Sequence, residues 1–130
     1  MSHTSESVCI IDDDNMYISL LCKIIELKKL SKSVVVFKNG KEAIDFFTAS
    51  VEKVPIPRFI FLDLNMPVMD GWEFLDEFSK IIDKIPKKTL LYVVSSSIDI
   101  RDIERAKSID MVEDYISKPI KIDDFTKILA

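Results

Sequence analysis

The chain has 130 residues, of which 48% are hydrophobic and 31% charged, and its net charge is −4. One folded domain is the expectation for that length. The apolar content argues against disorder, and the lack of a basic excess argues against nucleic acid as a direct partner.

The first residues, 1–7, are polar and lack the apolar stretch of a signal peptide, and no apolar run approaches the ~20 residues of a membrane span. A cytoplasmic protein without a membrane partner is expected. Cys9 and Cys22 then read as buried, reduced thiols. With His3 as the only histidine, a structural zinc site cannot be written.

Val8-Cys9-Ile10-Ile11 is a short apolar run ending in acids, the pattern of a strand buried on both faces. From residue 15 to about 30 the period turns helical, and Leu20, Leu21, Ile24 and Leu27 are expected to form its apolar face. Val34-Val35-Val36-Phe37 is the second strand. Asn39-Gly40 carries a hairpin signal, but residues 41–47 have helical spacing, so Asn39 is read as a helix start. Pro55 and Pro57 break the chain before a third strand, Phe59-Ile60-Phe61-Leu62. Pro67 and Asp70-Gly71 mark a loop, and residues 72 to about 82 are helical through Phe74, Leu75, Phe78 and Ile82.

A fourth strand covers residues 90–94 and ends in Ser95-Ser96-Ser97. A helix follows over 100–109, with Asp99 as its cap. A short fifth strand begins at Tyr115-Ile116 and ends at Ser117-Lys118-Pro119. The last helix runs from Ile122 to Leu129, with Asp123 and Asp124 near its positive end. Strands alternating with helices predict an α/β fold, specifically a doubly wound, flavodoxin-like, five-stranded parallel sheet in the order 2-1-3-4-5 with five helices.

The polar residues of interest all sit where strands end. Asp12, Asp13 and Asp14 follow the first strand, Asp63 the third, Ser95 the fourth and Lys118 the fifth. In a parallel sheet those ends share one edge, where ligands bind. Clustered carboxylates repel one another, and a hard divalent cation relieves that repulsion. One carboxylate can then act as a nucleophile toward phosphorus, while a cation and a lysine neutralise the transferring group. Each residue also has a bland reading. The acids after the first strand can cap a helix, Asp63 can be a loop acid, Ser95 a turn residue and Lys118 a surface lysine. All of them at the strand ends of one sheet is a constellation rather than a set of coincidences.

These residues resemble the receiver domain of two-component response regulators, of the stand-alone chemotaxis-receiver type. The motifs are Ile10-Ile11-Asp12-Asp13-Asp14, the stretch from Phe61 through Asp63 and Asn65 to Gly71, Val93-Val94-Ser95-Ser96, and Tyr115-Ile116-Ser117-Lys118-Pro119. The resemblance implies a phosphorylation-activated switch rather than an enzyme of turnover. Asp63 would be the phosphoacceptor, with Mg2+ held by Asp12, Asp13, Asp63 and the Asn65 backbone carbonyl. Asp13 would be the direct ligand of the acid pair and Asp12 would act through water. Lys118 would pair with the phosphoryl group, before a cis peptide bond to Pro119. Ser95 would be the switch hydroxyl, with Ser96 fitting instead if the segment to Lys118 carries no insertion. Tyr115 would be the aromatic that follows the switch.

The implied partners are a sensor histidine kinase or a histidine phosphotransfer protein, and a downstream target protein. The domain would catalyse its own phosphorylation and dephosphorylation. The segment Ile109-Asp110-Met111-Val112 departs from the family pattern in lacking a glycine before the fifth strand. Residues 1–130 are read as one receiver domain, with its core over about 8–129 and no output domain. The alternatives are a haloacid dehalogenase-like phosphatase, a receiver-like module with an inert site, and a nucleotide-binding domain. With only Gly40 and Gly71 present, a P-loop or dinucleotide fingerprint cannot be written.

Overall fold

The computed structural model describes residues 7–50, 57–84 and 89–129. His3 and Pro55 lie outside those residues. Five strands form one sheet: Val8–Ile11 (β1), Val34–Phe37 (β2), Phe59–Leu62 (β3), Leu90–Ser95 (β4) and Val112–Ser117 (β5). Every neighbouring pair is parallel, and the order is β2-β1-β3-β4-β5. The helices between and after them are Asn15–Lys28 (α1), Gly40–Ser50 (α2), Gly71–Ser79 (α3), Ile100–Lys107 (α4) and Ile122–Leu129 (α5). This is the expected flavodoxin-like arrangement.

The strand period of two splits the apolar residues between two cores. Cys9 and Ile11 of β1, Ile60 and Leu62 of β3, and Leu91 and Val93 of β4 face α2, α3 and α4, where Phe47, Phe74 and Phe78 fill the layer. Val8, Ile10, Phe59, Phe61 and Val94 face the other way, toward α1 and α5 and the ring of Phe125. Both faces of the central strands are therefore apolar, which explains why those strands read as unbroken hydrophobic runs rather than alternating ones.

Helix starts follow the capping logic. Asn39 Oδ1 accepts the Glu42 N–H at 2.9 Å, so Asn39-Gly40 opens α2 and not a hairpin. Asp70 and Glu73 form a reciprocal capping box at α3. Asp99 caps α4 by accepting the Arg101 N–H at 2.9 Å.

Several boundaries differ from the sequence expectation. The buried face of α1 is Tyr17, Ile18, Leu21, Ile24 and Ile25, whereas Leu20 and Leu27 are exposed. Apolar residues lie all around this helix, so two stripes compete, and the sheet selects the one that begins at Tyr17. α3 ends at Ser79, and Ile82 belongs to a short 3-10 turn, Ile82–Lys84. α4 ends at Lys107 rather than 109. β5 begins at Val112, three positions before the expected start, because an edge strand tolerates Glu113 and Asp114 on its exposed side. Cys9 is buried as expected, while Cys22 is only partly so; both are free thiols. No helix among the described residues is long and apolar enough to cross a membrane.

Candidate functional site

The backbone ladder runs one residue past the strands. Asp12 N–H donates to Phe37 O, Asp63 N–H to Ile11 O and Lys118 N–H to Ser95 O, all at 2.9 to 3.0 Å. The predicted residues are thereby drawn to one edge on adjacent strands. Strand alternation then sorts their side chains. Asp12, Asp63 and Lys118 continue the rows of Ile10, Phe61 and Ile116, on the α1 and α5 face. Ser95 continues the row of Leu91 and Val93, on the face that Tyr115 shares with α4.

Carboxylate oxygens of Asp12, Asp13 and Asp63 come within 4.8 Å of one another. Asp12 and Asp63 are buried, at 2% and 5% exposure, while Asp13 is exposed to solvent. The Lys118 ammonium sits 2.8 Å from Asp12 Oδ2 and 3.6 Å from Asp63 Oδ2. Asp14 stands apart from the cluster. It is exposed and caps α1, accepting the Met16 and Tyr17 N–H groups at 3.1 and 3.2 Å. Asp14 is thus the helix cap, while Asp12 Oδ1 accepts the Asp14 N–H at 2.9 Å and Asp12 and Asp13 face the cluster.

The electrostatics follow from this geometry. Burial, and then the Asp12 charge, push the Asp63 carboxyl up to about 6, against the pull of Lys118 and of a hydrogen bond from the Asn65 backbone N–H. For Lys118, burial disfavours the charged form, but the hydrogen bond to Asp12 and the charges of Asp12 and Asp63 outweigh it and raise its pKa. Three carboxylates against one ammonium leave an excess of negative charge on oxygen ligands alone. That donor set fits a hard cation such as Mg2+.

The loop that follows Asp63 rests on the only two glycines of the chain. A Cβ on Gly71 would lie 2.5 Å from the Asp63 carbonyl oxygen and 2.7 Å from Leu64 Cα. One on Gly40 would lie 2.9 Å from the Met69 carbonyl oxygen. Gly71 and Gly40 also donate their N–H groups to Leu64 O and Met69 O. Between them Val68 has φ 67°, with Met69 N–H closing a three-residue turn onto Pro67 O. For a β-branched residue that is strained backbone.

At the end of β4, Ser95 is fully buried and Ser96 is exposed. Ser95 Oγ accepts the Ser97 N–H at 3.1 Å. Ser97, which sequence reasoning passed over, is the hub of the following loop. Its Oγ donates to Asp102 Oδ2, and its carbonyl accepts the Tyr115 hydroxyl at 2.7 Å. Its place two residues before a helix cap was the available signal. Asn65 is exposed, and the Lys118-Pro119 bond is cis. Tyr17 was also missed: it was not among the residues read as the apolar face of the first helix, and its ring lies 4.6 Å from the Lys118 ammonium.

The chain is similar to known proteins. A two-component response regulator from Cytophaga hutchinsonii superposes with a TM-score of 0.84 at 29% identity, over 97% of each chain. The Saccharomyces cerevisiae Ssk1 receiver domain, crystallised with the histidine phosphotransfer protein Ypd1, has the same fold, with a TM-score of 0.79 at 20% identity over 99% of this chain and 89% of that one. The probable methanogenesis regulatory protein FilR2 of Methanothrix harundinacea is 26% identical over 92% of this chain and 76% of its own length. Residues 8–130 match the response regulator receiver domain as a family, and the chain belongs to it as a phosphorylation-activated switch domain.

Proposed function

We propose that Asp63 accepts a phosphoryl group from a phosphohistidine on a sensor histidine kinase or a histidine phosphotransfer protein. The observation that carries this reading is the Asp63 carboxylate itself. It is buried, clustered with Asp12 and Asp13, and faced by the Lys118 ammonium at 3.6 Å. In the transfer, an Asp63 oxygen forms the new O–P bond as the P–N bond of phosphohistidine breaks, and the imidazole leaves with the bonding pair. Lys118 neutralises charge on the phosphoryl oxygens. Asp12, Asp13, Asp63 and the Asn65 carbonyl would hold Mg2+, which supplies further charge neutralisation when bound. With these groups the domain promotes its own phosphorylation and the later hydrolysis of the acyl phosphate.

The buried Ser95 hydroxyl donates to no group among the described residues, so it is available to a phosphoryl oxygen. Drawing it inward would pull on Ser97 and on Tyr115, and so reset α4 and β5 for a downstream target protein. Partner choice is supported by the rim of the site. Met16, Val68, Ile98, Ile100 and Ile122 are all exposed apolar residues on loops or helix starts that follow the strand ends. Such a collar suits an apolar helical surface that presents a histidine at its centre. The two free thiols agree with a cytoplasmic setting. Incubation with labelled acetyl phosphate and Mg2+ tests the assignment: Asp63 takes the label and Asp63→Asn takes none. Wild-type-like labelling of that variant would remove Asp63 as the acceptor.

A further inference from the structure

We propose that Tyr17 is a positioning residue for Lys118, its ring face holding the ammonium at the phosphoryl end of the site. The proposal rests on the role given to Lys118 above. Lys118 hangs from the end of β5 on a flexible four-carbon stem, and one strong hydrogen bond, to Asp12, fixes its head. The second carboxylate, Asp63, lies at 3.6 Å, beyond a good hydrogen bond. The remaining side of the ammonium is covered by the Tyr17 ring, 4.6 Å from its centroid. A buried aromatic face attracts a cation without offering it a proton acceptor, so it orients the charge and competes with no oxygen.

The Tyr17 hydroxyl is buried against the Ile120 backbone and makes no well-formed hydrogen bond among the described residues. What the position uses is the ring. It sits on α1, one turn after Asp14 caps the helix, so the first strand's acids and the platform for the lysine come from one continuous segment.

The platform matters when Asp63 gains a phosphoryl group. Lys118 must then shift its partner from a carboxylate to a phosphoryl oxygen, and the ring keeps the ammonium in place across that exchange. Removing the ring should slow phosphorylation by about five- to thirtyfold, the factor expected for a desolvated cation–π contact. Binding of Mg2+ alone should be unchanged, because no ligand is lost.

The test compares Tyr17→Phe, Tyr17→Leu and pentafluorophenylalanine at position 17, which keeps the ring shape and removes its negative face. Rates of labelling by acetyl phosphate are separated into KM and maximum rate, and the Lys118 ε-methylene resonance is followed by NMR without any phosphodonor. Tyr17→Phe should match wild type in both readouts. Tyr17→Leu should lose the ring-current shift of Lys118 and the maximum rate together. The fluorinated ring should slow the reaction while its melting temperature stays near that of Tyr17→Phe, which keeps the question open to decision if Tyr17→Leu fails to fold. Equal rates for phenylalanine and its fluorinated form would overturn the proposal. Wild-type protein that takes no label at all would instead overturn the phosphoacceptor reading on which it stands.

Discussion

Replacing Asp63 by Asn should stabilise the metal-free protein at neutral pH while destroying its proposed function. Burial and the neighbouring Asp12 raise the Asp63 carboxyl from 3.8 to about 6. A raised carboxyl means that the folded chain holds a proton the unfolded chain has already released. Stability from this group is therefore full below pH 3.8, declines as the pH climbs from there to about 6, and is level above. The shift of about two units corresponds to about 3 kcal/mol as a ceiling, at ~1.36 kcal/mol per unit. Solvent at the open edge of the site screens part of that, so about 1.5–3 kcal/mol is expected. Urea unfolding of wild type and Asp63→Asn in EDTA, at intervals between pH 4 and pH 7.5, measures it. The two proteins should be nearly equal at the acid end, and the Asn variant should lead increasingly up to about pH 6. A pH-independent difference, or a less stable Asn variant at pH 7, would refute the claim that Asp63 is held ionised at the expense of the fold.

Other perturbations probe the supports of the same loop. Gly71→Ala places a methyl 2.5 Å from the Asp63 carbonyl oxygen, so it should cost about 2 kcal/mol or more in urea unfolding and slow labelling of Asp63; unchanged values on both counts would show that the loop yields freely. Val68→Gly should raise stability by about 0.5–1 kcal/mol, since relief of the positive φ exceeds the added chain entropy and the exposed side chain buries little; a fall in melting temperature would count against strain at this turn. Replacing Val68 and Ile98 together by Ser should raise the KM for a phosphohistidine donor protein by about tenfold, and an unaltered KM would place the docking surface elsewhere.

Much of this architecture was legible in the sequence because the strands are buried on both faces. Short unbroken apolar runs bounded by acids, prolines and glycines leave few alternatives, and the candidate site then follows from the rule that strand ends share an edge. Legibility failed where that burial is incomplete. β5 is an edge strand whose first residues include Glu113 and Asp114, with an irregular register against Leu91 and Tyr92, so its polar half looked like loop. On α1 the surplus of apolar residues hid which stripe faces the sheet, and with it the ring beneath Lys118. Which of Ser95 and Ser96 is buried could not be read from three identical side chains.

The same alternation that organises the two cores explains how a charge change on one face could be read on the other. Asp12, Asp63 and Lys118 belong to the α1 and α5 side, whereas Ser95, Ser97 and Tyr115 belong to the side of α4. On the proposed reading, Ser95 is the residue that crosses between them, since its hydroxyl sits at the strand end where both rows meet the phosphoryl group. The element it would move is weakly held. In α4 only Ala106 is fully buried, Ile103 packs half-buried against the same core, and the helix is further tied by the Ser97 bond to Asp102 and by Arg105 stacked 4.0 Å over the Trp72 ring. Few buried apolar side chains and a handful of polar ties describe a segment of low local stability, which a modest shift in hydrogen bonding can reposition. A helix sealed by a full apolar stripe, as α3 is by Phe74, Leu75 and Phe78, would resist the same pull. The division of labour between a rigid α3, which anchors the Asp63 loop through Gly71, and a loosely tied α4 is therefore what would let a buried aspartate act as a switch.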